Sequence, residues 1–186
     1  MKQKTDRRKP RLSHRKRFHL LHDWLVTNYK PCKAADVGGG KGLLAYLLNK
    51  SGWNAVVIDP FNQELPRTFK DLTKTRTTLV KKERGSVTRV TDKFKEEMAQ
   101  DYNLLIGLHA HGSNMKIINA CKKYGKDFVL LPCCVVGEPI IPQQGINWLD
   151  SLVDYAKQQG FDIGKAELNF KGQNIVIYNK KAEETV

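Results

Sequence analysis

The segment Ala34-Ala35-Asp36-Val37-Gly38-Gly39-Gly40-Lys41-Gly42-Leu43-Leu44 constrains this chain more than any other. A short apolar run reaches an acid, the alternate positions 38, 40 and 42 are glycine, and a helical pattern follows. The order is strand, tight turn, helix. Glycine permits positive φ and lets a ligand lie against the main chain where a Cβ would block it. The helix start adds unpaired N–H groups and the positive end of a dipole. A small polar ligand is expected there. The alternative is a plain strand-to-helix turn whose glycines serve packing.

The spacing argues against two phosphate-binding loops. A Gly-x-Gly-x-x-Gly dinucleotide fingerprint begun at Gly38 and Gly40 needs a third glycine where this chain has Leu43. A P-loop needs Gly-Lys followed by a hydroxyl residue to hold magnesium, but Lys41 is followed by Gly42.

A chain of 186 residues is long enough for one domain with a full core. Its formal charge is +13, which draws polyanions or anionic surfaces and says nothing of fold. No apolar run approaches the roughly 20 residues of a membrane span. The basic N-terminus has no apolar signal core, so secretion is not implied. The four cysteines are Cys32, Cys121 and the adjacent pair Cys133-Cys134, without Cys-x-x-Cys spacing. Zinc is not expected from that pattern, and reduced thiols in a cytoplasmic protein are.

The basic charge is clustered. Residues 1–30 hold ten Lys or Arg against Asp6 and Asp23, and residues 70–95 hold nine against three acids. Residues 1–30 read as a basic arm and helix, and 31–186 as the main domain. The first nine or so residues have a disordered composition. From Ser13 a helix is expected, with Phe18, Leu21, Trp24 and Leu25 on one face beside His14, Arg15, Lys16 and Arg17. Two separate clusters point to nucleic acid, held through phosphates by Arg7, Arg8, Arg15, Lys16, Arg17, Arg84 and Arg89. The alternatives are a solvated tail or a basic targeting segment.

Strands and helices alternate along the rest. Strands are expected at 32–37, 54–58, 86–91 (with 77–81 competing), 102–108 and 127–131. Helices are expected at 41–50, 92–100, from Ser13, from a Ser113 cap to about Lys123, and at 147–159. Two extended runs, 161–170 and 173–179, joined by Lys171-Gly172, predict an antiparallel hairpin at the end of the sheet.

An acid before Gly-x-Gly-x-Gly, in this alternating order with a terminal hairpin, resembles the class I (Rossmann-like) S-adenosylmethionine-dependent methyltransferases over about residues 30–180. The resemblance implies an α/β fold with a mostly parallel sheet, a C-terminal antiparallel β-hairpin and helices on both faces. It implies S-adenosylmethionine as cofactor. Gly38, Gly40 and Gly42 would pass under its methionine part, Asp36 would organise its ammonium, and Asp59 would accept from both ribose hydroxyls. Asp92 would meet the adenine amino group, although Asp there is also a good helix cap.

The acceptor side is expected after the fourth strand, at Gly107-Leu108-His109-Ala110-His111-Gly112. The Asn/Asp-Pro-Pro-aromatic motif of amino methyltransferases is missing. This run, with the downstream Leu131-Pro132-Cys133-Cys134, resembles a group that includes tRNA ribose 2′-O-methyltransferases, which often has Cys where this chain has His111. His109, and with it His111, are the candidate catalytic residues, since imidazole titrates near neutral pH and can take a proton from the acceptor. His109 also has a bland reading as a histidine hydrogen-bonded at a strand end. A His-x-His pair can bind metal, but no third ligand is evident and no metal is expected. A cysteine beside the site also suggests covalent attack on a pyrimidine ring, although the wider context resembles the non-covalent group. The expected activity is methyl transfer to tRNA or rRNA. A non-catalytic RNA-binding subunit on the same fold, or a small-molecule methyltransferase, are the competing readings.

Overall fold

The structure is a computed structural model and describes residues 11–65, 67–70, 77–79, 87–142 and 144–180. A short 3-10 turn, His14–Lys16, leads into α1, Arg17–Asn28. Then come β1 (Lys33–Val37), α2 (Leu43–Lys50), β2 (Asn54–Ile58), β3 (Thr68–Lys70), β4 (Thr77–Leu79) and β5 (Arg89–Val90). After a second 3-10 segment, Glu96–Asp101, follow β6 (Leu104–Leu108), α3 (Asn114–Tyr124), β7 (Asp127–Leu131), α4 (Trp148–Gln158), β8 (Ile163–Glu167) and β9 (Ile175–Asn179).

Seven strands form one sheet in the order β5-β2-β1-β6-β7-β9-β8. The first five are mutually parallel, β9 runs antiparallel to β7, and β8 antiparallel to β9. The strand order reverses at β1, between β2 and β6. That reversal opens a crevice beyond the carboxyl ends of β1 and β6, where open α/β sheets bind ligands.

Alternation of side chains explains why both faces are covered. Ala35, Val37, Val56, Ile58, Leu105, Phe128 and Leu130 point to one layer, packed against α3 and α4. Ala34, Ala55, Val57, Leu104, Ile106 and Val129 point to the other, packed against Leu21 and Leu25 of α1 and Leu44 and Leu48 of α2. Parallel strands buried on both faces read as continuous apolar runs, and β6, Leu-Leu-Ile-Gly-Leu, is fully buried. The chain therefore has the Rossmann-like architecture expected from its sequence, with helices on both sides and the antiparallel hairpin at its end.

Several boundaries differ for local reasons. The expected strand at 86–91 is reduced to Arg89–Val90 within the described residues, paired with Val57 and Ile58. The competing segment at 77–81 contributes β4, which pairs with β3 in a separate two-stranded ribbon. The expected helix at 92–100 is a 3-10 segment displaced to Glu96–Asp101. The C-terminal hairpin has a longer connection than Lys171-Gly172. The run from 161 leaves the sheet at Glu167 because the Asn174 amide bonds the Leu168 and Phe170 carbonyls at 2.7 and 3.1 Å, closing a wider loop.

That loop also anchors the N-terminal arm. The Leu12 amide donates to the Asn169 carbonyl at 3.1 Å, the Lys171 amide donates to the Leu12 carbonyl at 2.9 Å, and Arg11 pairs with Glu167. The expected face of α1 is partly redistributed: Leu21, Leu25 and His19 are buried, while Phe18 and Trp24 are half-buried. Among the described residues, no helix is long and apolar enough to cross a membrane.

Candidate active site

The carboxyl end of β1 delivers Asp36 into the crevice and hands the chain to the glycine turn. Gly38, Gly40 and Gly42 have φ of 65°, 54° and 79°, a region that L side chains rarely adopt. Gly42 closes the turn against β2, where a Cβ would come 3.0 Å from Val57 Cγ2. At Gly40 a Cβ would meet nothing within 4 Å, so this turn of main chain lies open to a ligand. Gly39, which spacing alone did not single out, is required for a different reason: a Cβ there would lie 2.5 Å from Asp36 Oδ2. Its only sequence signal is that it is the middle of three consecutive glycines.

Asp36 is 1% exposed, and its carboxylate oxygens make no close hydrogen bond among the described residues, with the Ala45 amide the backbone group that acts on them. Burial pushes its pKa up to about 7; the negative charge of Asp59 adds to this, while the Ala45 amide and Arg89 oppose it. Asp59, at the end of β2, is buried and fixed. Its Oδ2 accepts from the Gly40 amide at 2.9 Å and its Oδ1 from the Phe61 amide at 2.8 Å. A carboxylate offers about four acceptor positions, so two remain for hydroxyls. Asp92 lies just past β5, 44% exposed in its side chain, and accepts from the Lys93 amide and the Lys95 ammonium. Those two donors hold its carboxyl below the usual range.

A cavity of about 420 Å³ stands over the glycine turn. Its walls include Asp36, Gly38, Gly40, Lys41 and His109, together with Arg17 and Phe18 of α1. That volume lies within the range of small-molecule and cofactor sites. A larger cleft of about 1010 Å³ lies at the opposite, amino-terminal ends of β1, β6 and β7, away from all of these residues.

His109 follows β6 and has φ of 56°, the one non-glycine residue with positive φ among those described. Its amide donates to the Leu131 carbonyl at 3.1 Å, which holds this strained turn against β7. Its Nε2 is buried without a hydrogen-bond partner. Burial lowers its pKa to about 4, helped by the positive potentials of Arg17, His14 and His111. The ring is therefore neutral at pH 7 and a weaker base than the free imidazole expected from sequence. His14 stacks on it, with ring centroids 5.9 Å apart and planes at 30°.

His111 does not line the cavity. Its ring stands against the two adjacent cysteines, with Cys133 Sγ 3.2 Å from Nε2 and Cys134 Sγ 3.4 Å from Nδ1. Burial and the neighbouring Cys134 push the Cys133 thiol up to about 11. Ser113 occupies the N-cap of α3 but makes no capping bond there. Glu138 does so instead, accepting from the Asn114 and Met115 amides at 2.8 and 3.2 Å. This long-range cap carries no local sequence signal.

The basic residues divide in placement. Arg15 is exposed and Lys16 half-buried on the arm, whereas Arg17 turns inward, 4.5 Å over the Phe18 ring and 3.0 Å from His14 Nε2. Arg89, expected among the phosphate-binding residues, is occupied otherwise. It donates to the Gly40 and Gln63 carbonyls at 2.8 and 2.9 Å and so braces the glycine turn. Arg7, Arg8 and Arg84 lie outside the described residues.

No protein-family model matches the chain. A probable tRNA (uracil-O(2)-)-methyltransferase of Caenorhabditis elegans is 28% identical over 148 residues, covering 72% of this chain and 25% of that protein. The chain thus spans about a quarter of the length of that relative. Among solved structures, magnesium protoporphyrin IX methyltransferase of Synechocystis with bound S-adenosylmethionine superposes with a TM-score of 0.53 at 13% identity, over 90% of this chain and 80% of that one. A ribosomal protein L11 methylase of Lactobacillus delbrueckii gives 0.52 at 14% identity, over 94% and 82%. One acts on a porphyrin and the other on a protein, so the likeness speaks to architecture and leaves the acceptor open. Sheet order, glycine turn and these superpositions agree: the chain has the fold of the class I, Rossmann-like S-adenosylmethionine-dependent methyltransferases.

Proposed function

We propose that this protein is an S-adenosylmethionine-dependent methyltransferase that acts on RNA, tRNA or rRNA in particular. One observation carries the reading: the glycine turn and the basic N-terminal helix line the same cavity. The residues present fit the cofactor. Asp36 is a buried carboxyl group without a close hydrogen bond, suited to an ammonium, and the main chain at Gly40 is open where any side chain would intrude. Asp59 is held in place with acceptor capacity left for a ribose. Asp92 follows the next strand by two residues, where the resemblance would put the adenine amino group, and its oxygens now accept from the Lys93 amide and the Lys95 ammonium.

When bound, the sulfonium cofactor supplies an already activated methyl group, so the protein's task is mainly to position the acceptor. Neutral His109, with Nε2 buried and unpartnered, can accept a hydrogen bond from an acceptor hydroxyl or amine and hold its lone pair in line. The Arg17 guanidinium lies over the Phe18 ring, and this stacked pair lines the cavity, where a base can join the stack. Arg15 and Lys16 extend the positive surface outward, where phosphates would pass. The name of the nematode relative and the net charge of +13 support RNA as the acceptor class.

The missing amino-methyltransferase motif favours a second reading, an RNA-binding subunit that keeps the fold without the chemistry. A labelled-methyl assay over RNA pools separates the two. Incorporation that falls by about a hundredfold or more in His109→Ala, with RNA binding retained, supports the enzyme. RNA binding without incorporation in the wild type supports the subunit.

A further inference from the structure

We propose that His111, Cys133 and Cys134 form a zinc site with three protein ligands. β6 and β7 are adjacent and parallel, with Leu108 paired to Leu131 at their ends. The residues that follow therefore emerge side by side. Two left-handed glycines bring the loops together: Gly112 and Gly137 have φ of 67° and 77°, and a Cβ on Gly112 would lie 2.8 Å from the Gly137 carbonyl oxygen. In a strand, adjacent side chains diverge, but β7 has ended at Leu131, and the two thiols lie 3.5 Å apart.

The donor geometry suits a small tetrahedral ion. One ligand atom from each residue lies within 4.8 Å of the others, and the S···N separations are 3.2 and 3.4 Å. Tetrahedral zinc, with Zn–S near 2.3 Å and Zn–N near 2.0–2.1 Å, places two sulfurs about 3.8 Å apart and sulfur and nitrogen about 3.6 Å apart. The two sulfurs, 3.5 Å apart, are within a few tenths of an ångström of that pattern; Cys133 meets Nε2 and Cys134 meets Nδ1, so a turn of the exposed imidazole is needed to aim one nitrogen at the ion. Soft thiolates with one imidazole select zinc over magnesium or calcium. The nearby Glu138 carboxylate is engaged by the Asn114 and Met115 amides and the Asn114 side chain, so it adds no hard oxygen to the set.

The ligand set differs from the His-x-His pair considered from sequence, because His109 turns into the cofactor cavity while His111 turns to the cysteines. Zinc binding forms two Zn–S bonds and one Zn–N bond and releases the two thiol protons to solvent, with no change of oxidation state. Three protein ligands leave a tetrahedral ion one position for water or an incoming heteroatom, the pattern of open zinc sites.

The test uses the full chain, stripped with a chelator and titrated with Co²⁺ as an optical probe, then with Zn²⁺. The expected result is one Co²⁺ per chain, with intense tetrahedral ligand-field bands and a thiolate-to-cobalt charge-transfer band that Zn²⁺ abolishes. His111→Ala and the double change Cys133→Ser with Cys134→Ser should weaken binding by at least about a hundredfold, while circular dichroism reports an intact fold. His111→Cys should keep the stoichiometry and strengthen the charge-transfer band. Absence of tetrahedral bands in the wild type, or bands unchanged in the Ala and Ser variants, would overturn the site. A native thiol count two short in metal-free protein would also overturn it, as evidence of a disulfide in its place. The readout is independent of methyl transfer, so its failure leaves the reading of the cofactor cavity untouched.

Discussion

The His14 ring lies stacked on the His109 ring, 5.9 Å between centroids, so the N-terminal arm reaches the His109 wall of the cavity. Leu12, two residues earlier, is hydrogen-bonded at both its amide and its carbonyl to the loop before β9. The arm is thereby part of the site. Arg17 and His14 are, after burial, the largest causes of the low basicity of His109. Arg17→Ala should therefore raise the His109 pKa from about 4 toward 6.5, and His14→Ala should raise it by less. Imidazole proton resonances followed against pH measure both. An unchanged His109 titration in Arg17→Ala would contradict this electrostatic coupling.

A buried carboxyl and a half-buried imidazole give opposing pH dependences of stability. Asp36 rises from 3.8 to about 7 on folding, so the folded state binds the extra proton and Asp36 makes stability fall as pH rises between those values. His109 drops from 6.5 to about 4, so the unfolded state binds the extra proton and His109 makes stability rise with pH in that window. The two effects partly cancel in the wild type. Asp36→Asn should unmask the rising slope between about pH 4 and 6.5, and His109→Gln the falling slope up to about pH 7. Denaturant midpoints measured across pH check both signs. A pair of variants with parallel pH profiles would refute the assignment.

Arg89 and the arm cations should separate cleanly. Arg89→Leu removes two charge-assisted hydrogen bonds to the carbonyls of Gly40 and Gln63, at a cost of about 2 kcal/mol in stability. It should weaken cofactor binding and leave the salt dependence of RNA binding unchanged. Replacing Arg15 and Lys16 by Ala should do the reverse. The slope of log affinity against log salt should shrink by about 0.7 for each single-strand phosphate that the protein no longer neutralises. Thermal melts, calorimetry and salt titrations of the two variants distinguish them. A reduced salt slope in Arg89→Leu would return this residue to the RNA surface.

The sheet was legible because its signals are local and repeated. β2 is a β-branched run ending at Asp59-Pro60, and β6 and β7 are short apolar runs between polar breaks, so their positions follow from periodicity and punctuation. The glycine turn was legible because positive φ selects glycine. What local pattern could not supply is how distant segments meet. Gly39 is needed because the Asp36 carboxylate lies beneath it, and Arg89 because it reaches the Gly40 carbonyl across the crevice. Arg17 looked like one more surface cation until the arm, pinned at Leu12, turned it into the cavity. Likewise the sequence offered no third partner for His111, because Cys133 and Cys134 approach it only through the pairing of β6 with β7.

The central claim is that the crevice at β1 holds S-adenosylmethionine. Calorimetric titration with S-adenosylmethionine and S-adenosylhomocysteine, on the wild type and on Asp59→Ala, tests it most directly. Removing the Asp59 carboxylate takes away both the tie to the Gly40 amide and the proposed acceptor for the ribose hydroxyls. Stoichiometric binding of both ligands, weakened about tenfold or more in Asp59→Ala, is the predicted result. Binding of neither ligand to the folded wild-type protein would contradict the account and leave the glycine turn a purely structural feature.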